Sequence, residues 1–339
     1  MPGEFTRRAV LNGKMDLLQA EATADLIDAG SPAQRRRALQ QLERGLSDRL
    51  AALRAEVLEL EALIAYDIDF PEEDEGPVSE TTVRRAWCVV RDRVAGLLKT
   101  APEGERLREG ALLVIAGRPN AGKSSLFNAL LGTERAIVTE IPGTTRDAIE
   151  AHAVIEGFPF RLVDTAGLRE SDERIERLGI EVSRRYLDRA DLILFCEGDE
   201  GRETGDVESF IAACTAPVVR VRTKADLLPV PRPPSPVPVS VVTGEGLPAL
   251  RRRLAEVAFG RLLALGDVEP VVTRARHRAA LEQAVLELDS FWGARETGVD
   301  AAAAATHLRA AVTALDDLIG AVTPEDVLDR VFAAFCVGK

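Results

Sequence analysis

Apolar positions in the first part of the chain recur at helical spacing. Residues 15–29 are predicted to form a helix that ends at Gly30, and a second helix begins with Ser31 as N-cap and Pro32 in its first turn. The second helix is expected to be long, because apolar residues continue along it in steps of three and four. This stripe predicts lengthwise packing on other helices and consists of Leu39, Leu42, Leu46, Leu50, Leu53, Val57, Leu60 and Ile64.

The pattern changes in kind near residue 110. The acidic segment YDIDFPEEDEGP ends the long helix, and another helix is predicted over about residues 79–100, followed by the connecting stretch APEGERLREG. After it come short apolar or alternating runs of strand length, which are ALLVIAG, IEAHAVIEG, FPFRLVD, ADLILFC and APVVRVRT. Strands that alternate with helical stretches over residues 110–264 predict a doubly wound α/β domain.

The rest of the chain completes a split architecture. The proline-rich residues 229–238 are expected to be a stiff surface connection outside the sheet, because they have few backbone N–H groups; a proline-rich ligand motif is the alternative. From residue 265 the spacing is helical again, with an alanine-rich helix near 300–318. The sequence therefore predicts an α/β domain, residues 110–264, inserted into a helical domain made of residues 15–109 and 265–339.

The composition restricts the class of protein. The 339 residues are 46% apolar, and 55 acidic against 43 basic residues give a net charge of −12. Because this charge repels phosphate backbones, nucleic-acid contact is expected to be local or supplied by a partner. No apolar run approaches the ~18 residues that cross a bilayer, and no signal peptide is evident. The four cysteines have no metal-ligand spacing, so free thiols and a cytoplasmic protein are predicted.

A phosphate-binding loop is predicted directly after the first strand, at GRPNAGKSS. Gly117 and Gly122 allow the backbone N–H groups to surround phosphates, and the following helix adds the positive end of its dipole. Lys123 is expected to reach the β- and γ-phosphates, and the Ser124 hydroxyl to ligate Mg²⁺. A glycine-rich turn without a ligand is the alternative.

Three further motifs follow in the order of a G domain: GTTRD at 143–147, DTAG at 164–167 and TKAD at 223–226. Thr145 is predicted to ligate Mg²⁺, Asp164 to support that ion, and the Gly167 N–H to sense the γ-phosphate. The residues predicted to contact the nucleotide are Asn120, Ala121, Gly122, Lys123, Ser124, Ser125, Thr139, Glu140, Ile141, Pro142, Gly143, Thr144, Thr145, Asp164, Thr165, Ala166, Gly167, Thr223, Lys224, Ala225, Asp226, Ser240, Val241 and Val242.

The base is predicted to be guanine. An ionised Asp226 only accepts hydrogen bonds, which suits the N1–H and N2–H groups of guanine and rejects adenine. Thr223 stands where Asn is usual and has one hydroxyl in place of an amide, so some base affinity is expected to be lost. Val241, in SVVTGEG, stands where Ala is common, and its backbone amide is expected to contact the base.

The residue that orients the attacking water is not evident. Ras-type enzymes place Gln directly after DTAG, but this chain has Leu168, which has no polar group to offer. Either the chain does not hydrolyse its nucleotide or another residue supplies the polar group.

The resemblance of this chain to a known family is carried by MPGEFTRRAVLNGKMDLLQAEATADLIDA, GRPNAGKSSLFNAL, IVTEIPGTTRD, DTAGLRESDERIERLGIE, TRARHRAALEQA and FAAFCVGK. Over nearly all 339 residues, the chain resembles the MnmE (TrmE) family of tRNA-modification GTPases. The resemblance implies a P-loop G domain inserted into a helical bundle domain. It also implies action with the flavoprotein MnmG (GidA) to place an aminomethyl-type group, such as carboxymethylaminomethyl, on the wobble uridine (C5) of certain tRNAs.

The resemblance also assigns residues. It implies Glu176 as the water-positioning residue, and a potassium ion bound by Asn120, Thr139, Ile141 and Thr144 when two G domains pair in a homodimer. It implies that residues 1–14 are a remnant of a folate-binding domain, with Lys14 and Lys339 at positions that contact a tetrahydrofolate derivative. Without that domain, a constitutive dimer is not expected.

Other interpretations stay open on the sequence. Glu176 alternatively lies on a solvated helix face, and Asn120 alternatively only shapes its turn. Cys336 is either a nucleophile or a buried apolar residue. The basic clusters of Arg35, Arg36 and Arg37 and of Arg274, Arg276 and Arg278 are either RNA contacts or solvated helix faces. The alternative functions are an Era-type ribosome-assembly GTPase that binds rRNA and a GTP sensor that does not use Glu176.

Overall fold

The computed structural model describes residues 3–69, 78–132, 149–164, 184–197, 204–227, 236–266 and 269–320. The chain divides into two compact units. The helical unit comprises Met1–Ala29, Arg35–Glu105 and Leu265–Lys339, and the sheet unit comprises Gly30–Gln34 and Arg106–Ala264. The domain boundaries expected from the sequence stay a prediction.

The elements alternate in type only in the middle of the chain. In order they are α1 Glu4–Leu11, α2 Leu17–Asp28, α3 Pro32–Leu42, α4 Gly45–Asp69, α5 Glu80–Leu98, α6 Ala101–Glu109, β1 Ala111–Gly117, α7 Lys123–Leu131, β2 Ile149–Ile155, β3 Phe158–Asp164, α8 Arg184–Leu187, β4 Leu192–Glu197, α9 Thr204–Ala213, β5 Val218–Arg222, a 3₁₀ turn Ala225–Leu227, β6 Val237–Pro238, α10 Leu247–Leu265, α11 Ala275–Glu296 and α12 Ala301–Ile319.

The core of the helical unit is formed by α4, α5, α11 and α12. Leu53 and Val57 of α4 are fully buried together with Leu281 of α11 and Leu308 of α12. Both tryptophans of the chain lie here, and their rings stack with centroids 4.9 Å apart. Trp87 Nε1 donates a hydrogen bond of 2.8 Å to the backbone carbonyl of Leu288, so α5 is fixed against α11. The predicted mixed α/β class with a helical bundle is confirmed.

Local signals fix several helix ends, and among these caps Ser31 was predicted from the sequence. The Ser31 hydroxyl accepts a hydrogen bond from Gln34 N at 3.3 Å, which makes it the cap of α3. Ser79 accepts from Thr82 N in the same way at the start of α5. The alanine-rich helix α12 begins after Asp300, whose carboxylate accepts from the amides of Ala302 and Ala303. Each cap satisfies donors that the helix itself leaves unpaired.

The prediction of one long helix after Ser31 is wrong. The helix breaks after Leu42, where Arg44 has a left-handed backbone with φ 69°, and α4 begins at Gly45. The break rotates the apolar stripe, because Leu39 is 45% exposed whereas Leu46 and the following stripe residues are buried. Within APEGERLREG, residues 101–109 form a further helix, α6.

The sheet unit contains a six-stranded sheet in the order β2-β3-β1-β4-β5-β6. Strand β2 pairs antiparallel with β3, and the remaining pairs are parallel. Every residue of β1 is buried, as expected for a central strand covered on both faces. The predicted doubly wound α/β domain is therefore confirmed, with the carboxyl ends of β1, β4, β5 and β6 at one edge.

The proline-rich segment does enter the sheet at its end, contrary to prediction. Residues 228–235 lie outside the described ranges, but Val237 and Pro238 form β6 and pair in parallel with β5. An edge strand needs hydrogen bonds on one side only, so a residue without N–H is tolerated there. The next residue, Val239, donates its N–H to Arg222 O at 2.8 Å.

None of the helices in the described ranges is long and apolar enough to cross a membrane. Among the described residues, Cys88, Cys196 and Cys214 form no disulfide bond, and Cys336 lies outside the described residues.

Candidate functional site

The turn from β1 to α7 has the backbone of a phosphate-binding loop. Strand β1 ends at Gly117, which has φ 149° and approaches β4 so closely that a Cβ there would lie 2.5 Å from Cys196 O. Asn120 (φ 61°) and Gly122 (φ 77°) both have left-handed backbones, and Ala121 N donates to Arg118 O at 3.2 Å. A turn of this kind aims successive backbone N–H groups into one concavity, which suits an anion.

Lys123 begins α7 and is only 4% exposed. Its Nζ donates to the backbone carbonyls of Gly117 at 3.1 Å and Arg118 at 2.8 Å, so the ammonium group lies over the loop. Ser124 and Ser125 follow in the first turn and are exposed. The arrangement places one cation, two hydroxyls and the amino end of a helix around the same concavity.

The TKAD segment is fastened to this loop by a side chain. Thr223 is 4% exposed, and its Oγ1 donates to Ala121 O at 2.7 Å. Its N–H donates to Glu197 O at the end of β4, at 3.2 Å. Lys224 has a left-handed backbone with φ 54°, and Asp226 is exposed in the turn that follows. The sequence had not indicated this link between the base-binding and phosphate-binding segments.

The SVVTGEG loop adjoins the same segment through backbone hydrogen bonds. Ala225 N donates to Val239 O at 3.1 Å. The buried Ser240 Oγ accepts from Thr243 N at 3.2 Å, and Gly246 is needed because a Cβ there would lie 2.0 Å from Pro238 O. Val242 is 88% exposed, which leaves an apolar side chain at the loop tip.

The structure thus brings together three of the predicted segments at the carboxyl ends of the strands, where α/β sheets bind ligands. Asp164 is the last residue of β3, but its side chain is not described. The other predicted positions lie outside the described residues, and they are Thr139, Glu140, Ile141, Pro142, Gly143, Thr144, Thr145, Thr165, Ala166, Gly167, Glu176 and Lys339.

The metal sites are described only in part. No group of three His, Cys, Asp or Glu side chains that could hold a metal occurs within the described ranges. For Mg²⁺ the described donor is the exposed hydroxyl of Ser124, and for K⁺ it is the exposed amide of Asn120. Both are oxygen donors, which hard cations prefer, and the left-handed turn at Asn120 also agrees with a role in shaping the loop.

The basic cluster near residue 274 forms ion pairs within the helical unit, and its contact with RNA stays a prediction. Arg276 Nη2 lies 3.2 Å from Glu21 Oε2, and Arg274 Nη2 lies 2.6 Å from Asp25 Oδ1. Arg278 pairs with Glu105 at 2.9 Å.

These guanidinium groups connect helices of the helical unit and remain partly exposed. Arg37 is also buried and donates to Glu269 O, whereas Arg35 and Arg36 are exposed.

At the centre of this cluster lies a buried Glu–His pair that the sequence did not indicate. Glu21 and His277 are 2% and 1% exposed, and Glu21 Oε2 lies 2.6 Å from His277 Nε2. Burial opposes ionisation of Glu21, but the His277 hydrogen bond and the Arg276 and Arg274 charges hold the pKa of this carboxyl far below its ordinary value. Desolvation lowers the pKa of His277 despite Glu21. The two residues are 256 apart in sequence, so no spacing pattern joins them.

Lys14, the described member of the predicted folate pair, follows α1 and is exposed. Its backbone N–H donates to Ala9 O at 2.9 Å, which closes the end of that helix.

Comparisons with known proteins match this chain to one family over nearly its whole length. A family model described as the MnmE helical domain matches residues 17–336. The tRNA modification GTPase MnmE of Methylobacterium radiotolerans is 46% identical over 345 residues, a match that covers 100% of this chain and 76% of that protein. The protein of the same name from Geobacillus kaustophilus is 41% identical over 353 residues, covering 100% and 75%.

Among solved structures, the G domain of the T. maritima FeoB iron transporter is 28% identical, covers 44% of this chain and 98% of that chain, and has a TM-score of 0.32. The family model and the two full-length relatives do not favour the ribosome-assembly alternative. They confirm the resemblance that the sequence predicted, and the chain belongs to the MnmE family.

Proposed function

We propose that this protein is a GTPase that acts in the modification of tRNA. The observation that carries the proposal is the hydrogen bond from Thr223 Oγ1 to Ala121 O, which joins a phosphate-binding loop to a guanine-selective segment. Membership of a family whose relatives are named tRNA modification GTPases supports the second half of the proposal. The sheet unit is the part that binds GTP, and in the chain it is inserted between segments of the helical unit.

The phosphates are bound by the loop before α7. Backbone N–H groups from Asn120 to Lys123 surround the β-phosphate, and the Lys123 ammonium neutralises charge on the β- and γ-phosphates. The hydroxyls of Ser124 and Thr145 would hold Mg²⁺, and Asp164 would support that ion. The Asp226 carboxylate accepts from N1–H and N2–H of guanine, and a base that lacks these donors leaves the carboxylate unpaired.

Hydrolysis uses Glu176 in place of the missing Gln. Its carboxylate orients the attacking water and accepts its proton, because Leu168 cannot. Asn120, Thr139, Ile141 and Thr144 hold K⁺ with oxygen ligands when two G domains pair. When bound, Mg²⁺ and K⁺ supply positive charge against the charge that develops on the phosphates, a contribution that an arginine finger makes in other GTPases.

The family resemblance supports the remaining parts of the proposal. The partners are the flavoprotein MnmG and tRNA, and the group is attached to the wobble uridine. Pairing of G domains makes the active dimer. A tetrahydrofolate derivative bound near Lys14 and Lys339 stays a prediction.

The test is GTP hydrolysis at matched ionic strength in KCl and in NaCl, at protein concentrations that allow G domains to pair. We expect faster hydrolysis in KCl, and a loss of roughly 100-fold in Glu176→Ala with GTP affinity retained. Glu173→Ala, in the same acidic segment, is the matched control and should hydrolyse GTP normally.

Equal rates in the two salts would contradict the potassium site. Normal hydrolysis by Glu176→Ala would contradict the role of that carboxylate. Failure of the wild-type chain to bind GTP at all would overturn the proposal itself. Retention of the flavoprotein and tRNA by the immobilised full chain tests the partners separately.

A further inference from the structure

Thr223 occupies the first position of the TKAD motif, and its hydroxyl is already bonded within the protein. The side chain is 4% exposed, with Oγ1 2.7 Å from Ala121 O and 3.3 Å from Glu197 O. We propose that Thr223 positions the phosphate-binding loop and makes no hydrogen bond to guanine. This inference rests on the proposed function, because it assumes that GTP binds at this site.

The hydrogen bonding of the Thr223 hydroxyl is limited by its single hydrogen atom. A threonine hydroxyl has a single O–H donor, and both neighbours of Thr223 Oγ1 are carbonyl oxygens that only accept. Whichever carbonyl receives it, that hydrogen is used within the protein. The N7 and O6 atoms of guanine are also acceptors, so the hydroxyl has nothing to donate to them. The guanine donors N1–H and N2–H are taken by Asp226.

The position of Thr223 against the loop supports the same role. A Cβ added at Gly122 would lie 3.4 Å from Thr223 Cβ and 3.5 Å from its Oγ1, so the threonine packs directly on the loop backbone. Ala121 and Gly122 immediately precede Lys123 in the chain. Loss of the hydroxyl therefore leaves the Ala121 carbonyl without this donor and loosens the backbone that places Lys123 and the loop N–H groups.

An asparagine at this position would behave differently. Its amide has two N–H donors, so one could bond Ala121 O while the other reached guanine N7. Threonine keeps the first of these interactions and gives up the second. Recognition of the base in this chain then depends on Asp226 and on backbone amides.

The experiment measures the affinity of the full chain for GDP and for 7-deaza-GDP, which has a carbon in place of N7, in the presence of Mg²⁺. For the wild type and for Thr223→Ser we expect equal affinities for the two nucleotides. For Thr223→Asn we expect tighter binding of GDP but not of 7-deaza-GDP, with a gap of about 2- to 10-fold, the value of one net hydrogen bond.

Thr223→Val has the same size without the hydroxyl and tests the loop. We expect both nucleotides to bind roughly 10-fold more weakly, with no gap between them, because the phosphate-binding loop is common to both. If this variant does not fold, the wild-type ratio and Thr223→Ser still decide the question.

A wild type that binds GDP several-fold more tightly than 7-deaza-GDP would overturn the inference, because the hydroxyl would then be bonded to N7. Unchanged affinity in a folded Thr223→Val would also overturn it. A wild type that binds neither nucleotide would contradict the proposed function instead.

Discussion

The two units bury polar groups in different ways. In the helical unit, Glu21 is surrounded by His277 and Arg276, so a buried charge is balanced by side chains from a distant part of the chain. In the sheet unit, Lys123 donates to the carbonyls of Gly117 and Arg118, which belong to its own loop. The first arrangement joins helices. The second holds the Lys123 ammonium group against the loop backbone that would surround a phosphate.

The buried Glu21 network therefore has a structural role and Lys123 has a binding role. Each unit can be followed by its own measurement. The only two tryptophans, Trp87 and Trp292, lie in the helical unit, so their emission reports its unfolding. Nucleotide affinity reports the sheet unit.

The largest expected effect is on nucleotide binding. Lys123→Ala should weaken GDP binding roughly 100-fold or more, because hydrogen bonds to charged groups are worth about 1.5–3 kcal/mol each. The measurement is titration of the full chain with GDP in Mg²⁺. Tryptophan emission during urea unfolding should not change, and Lys99→Ala, an exposed lysine of the helical unit, is the control. Normal GDP binding by Lys123→Ala would show that Lys123 has no binding role, and the two buried charges would then not differ in role.

The converse change is Glu21→Gln. Removing the carboxylate charge leaves Arg276 without its buried partner, while Arg274 keeps Asp25, so the free energy of unfolding of the helical unit should fall by about 3 kcal/mol. Tryptophan emission in urea measures this. Glu282→Gln on the exposed face of α11 is the matched control. Equal stability of the two variants would show that the buried network contributes little.

Acid should act on the helical unit through His277. Burial lowers its pKa in the folded chain, so the unfolded chain takes up a proton below about pH 6.5 that the folded chain does not, and stability falls as the pH falls. Between pH 7.5 and 5.5 the loss from this residue should be about 1 kcal/mol. Glu21, whose pKa is lowered, adds a further loss only as the pH falls through the ordinary value of 4.5.

Urea unfolding followed by tryptophan emission at several pH values checks this. In His277→Gln the slope between pH 7.5 and 5.5 should become flatter. His307→Gln removes a more exposed histidine and should keep the wild-type slope. Identical slopes in the two variants would rule out His277 as the source.

The smallest effect is expected at a helix end. Asp300→Ala removes the carboxylate that accepts from Ala302 N and Ala303 N, and loss of such a cap costs about 1 kcal/mol. The midpoint of urea unfolding by tryptophan emission should shift accordingly, while GDP affinity stays unchanged. A shift no larger than that of Glu282→Ala would mean that the start of α12 is fixed by packing alone.

Local patterns predicted the parts of the fold that local chemistry controls. Strand β1, the loop with Gly117 and Lys123, and the Ser31 cap each follow from residues within one turn or strand of each other. The break at Arg44 did not follow, because the apolar stripe continues through it and only tertiary packing selects Ala38 over Leu39 as the buried residue.

Prediction of the candidate site from the sequence is limited in the same way. The motifs identified the nucleotide segments, but the bond between Thr223 and Ala121 joins residues 102 positions apart. The ion pairs of Arg274 and Arg276 depend on Glu21, which lies on α2, more than 250 positions earlier in the chain. Long-range pairs of this kind are decided by the assembled helices, which a single sequence does not reveal.

The divided core of the helical unit has a consequence for synthesis on the ribosome. Helix α5 ends at residue 98 and α11 begins at residue 275, so Leu53 and Val57 emerge long before their neighbours on α11 and α12. At about 5–20 residues per second, the wait is on the order of ten to thirty-five seconds. The whole β-sheet is translated during that interval. Nascent α4 and α5 therefore expose an apolar face that invites chaperone binding until α11 and α12 have been translated.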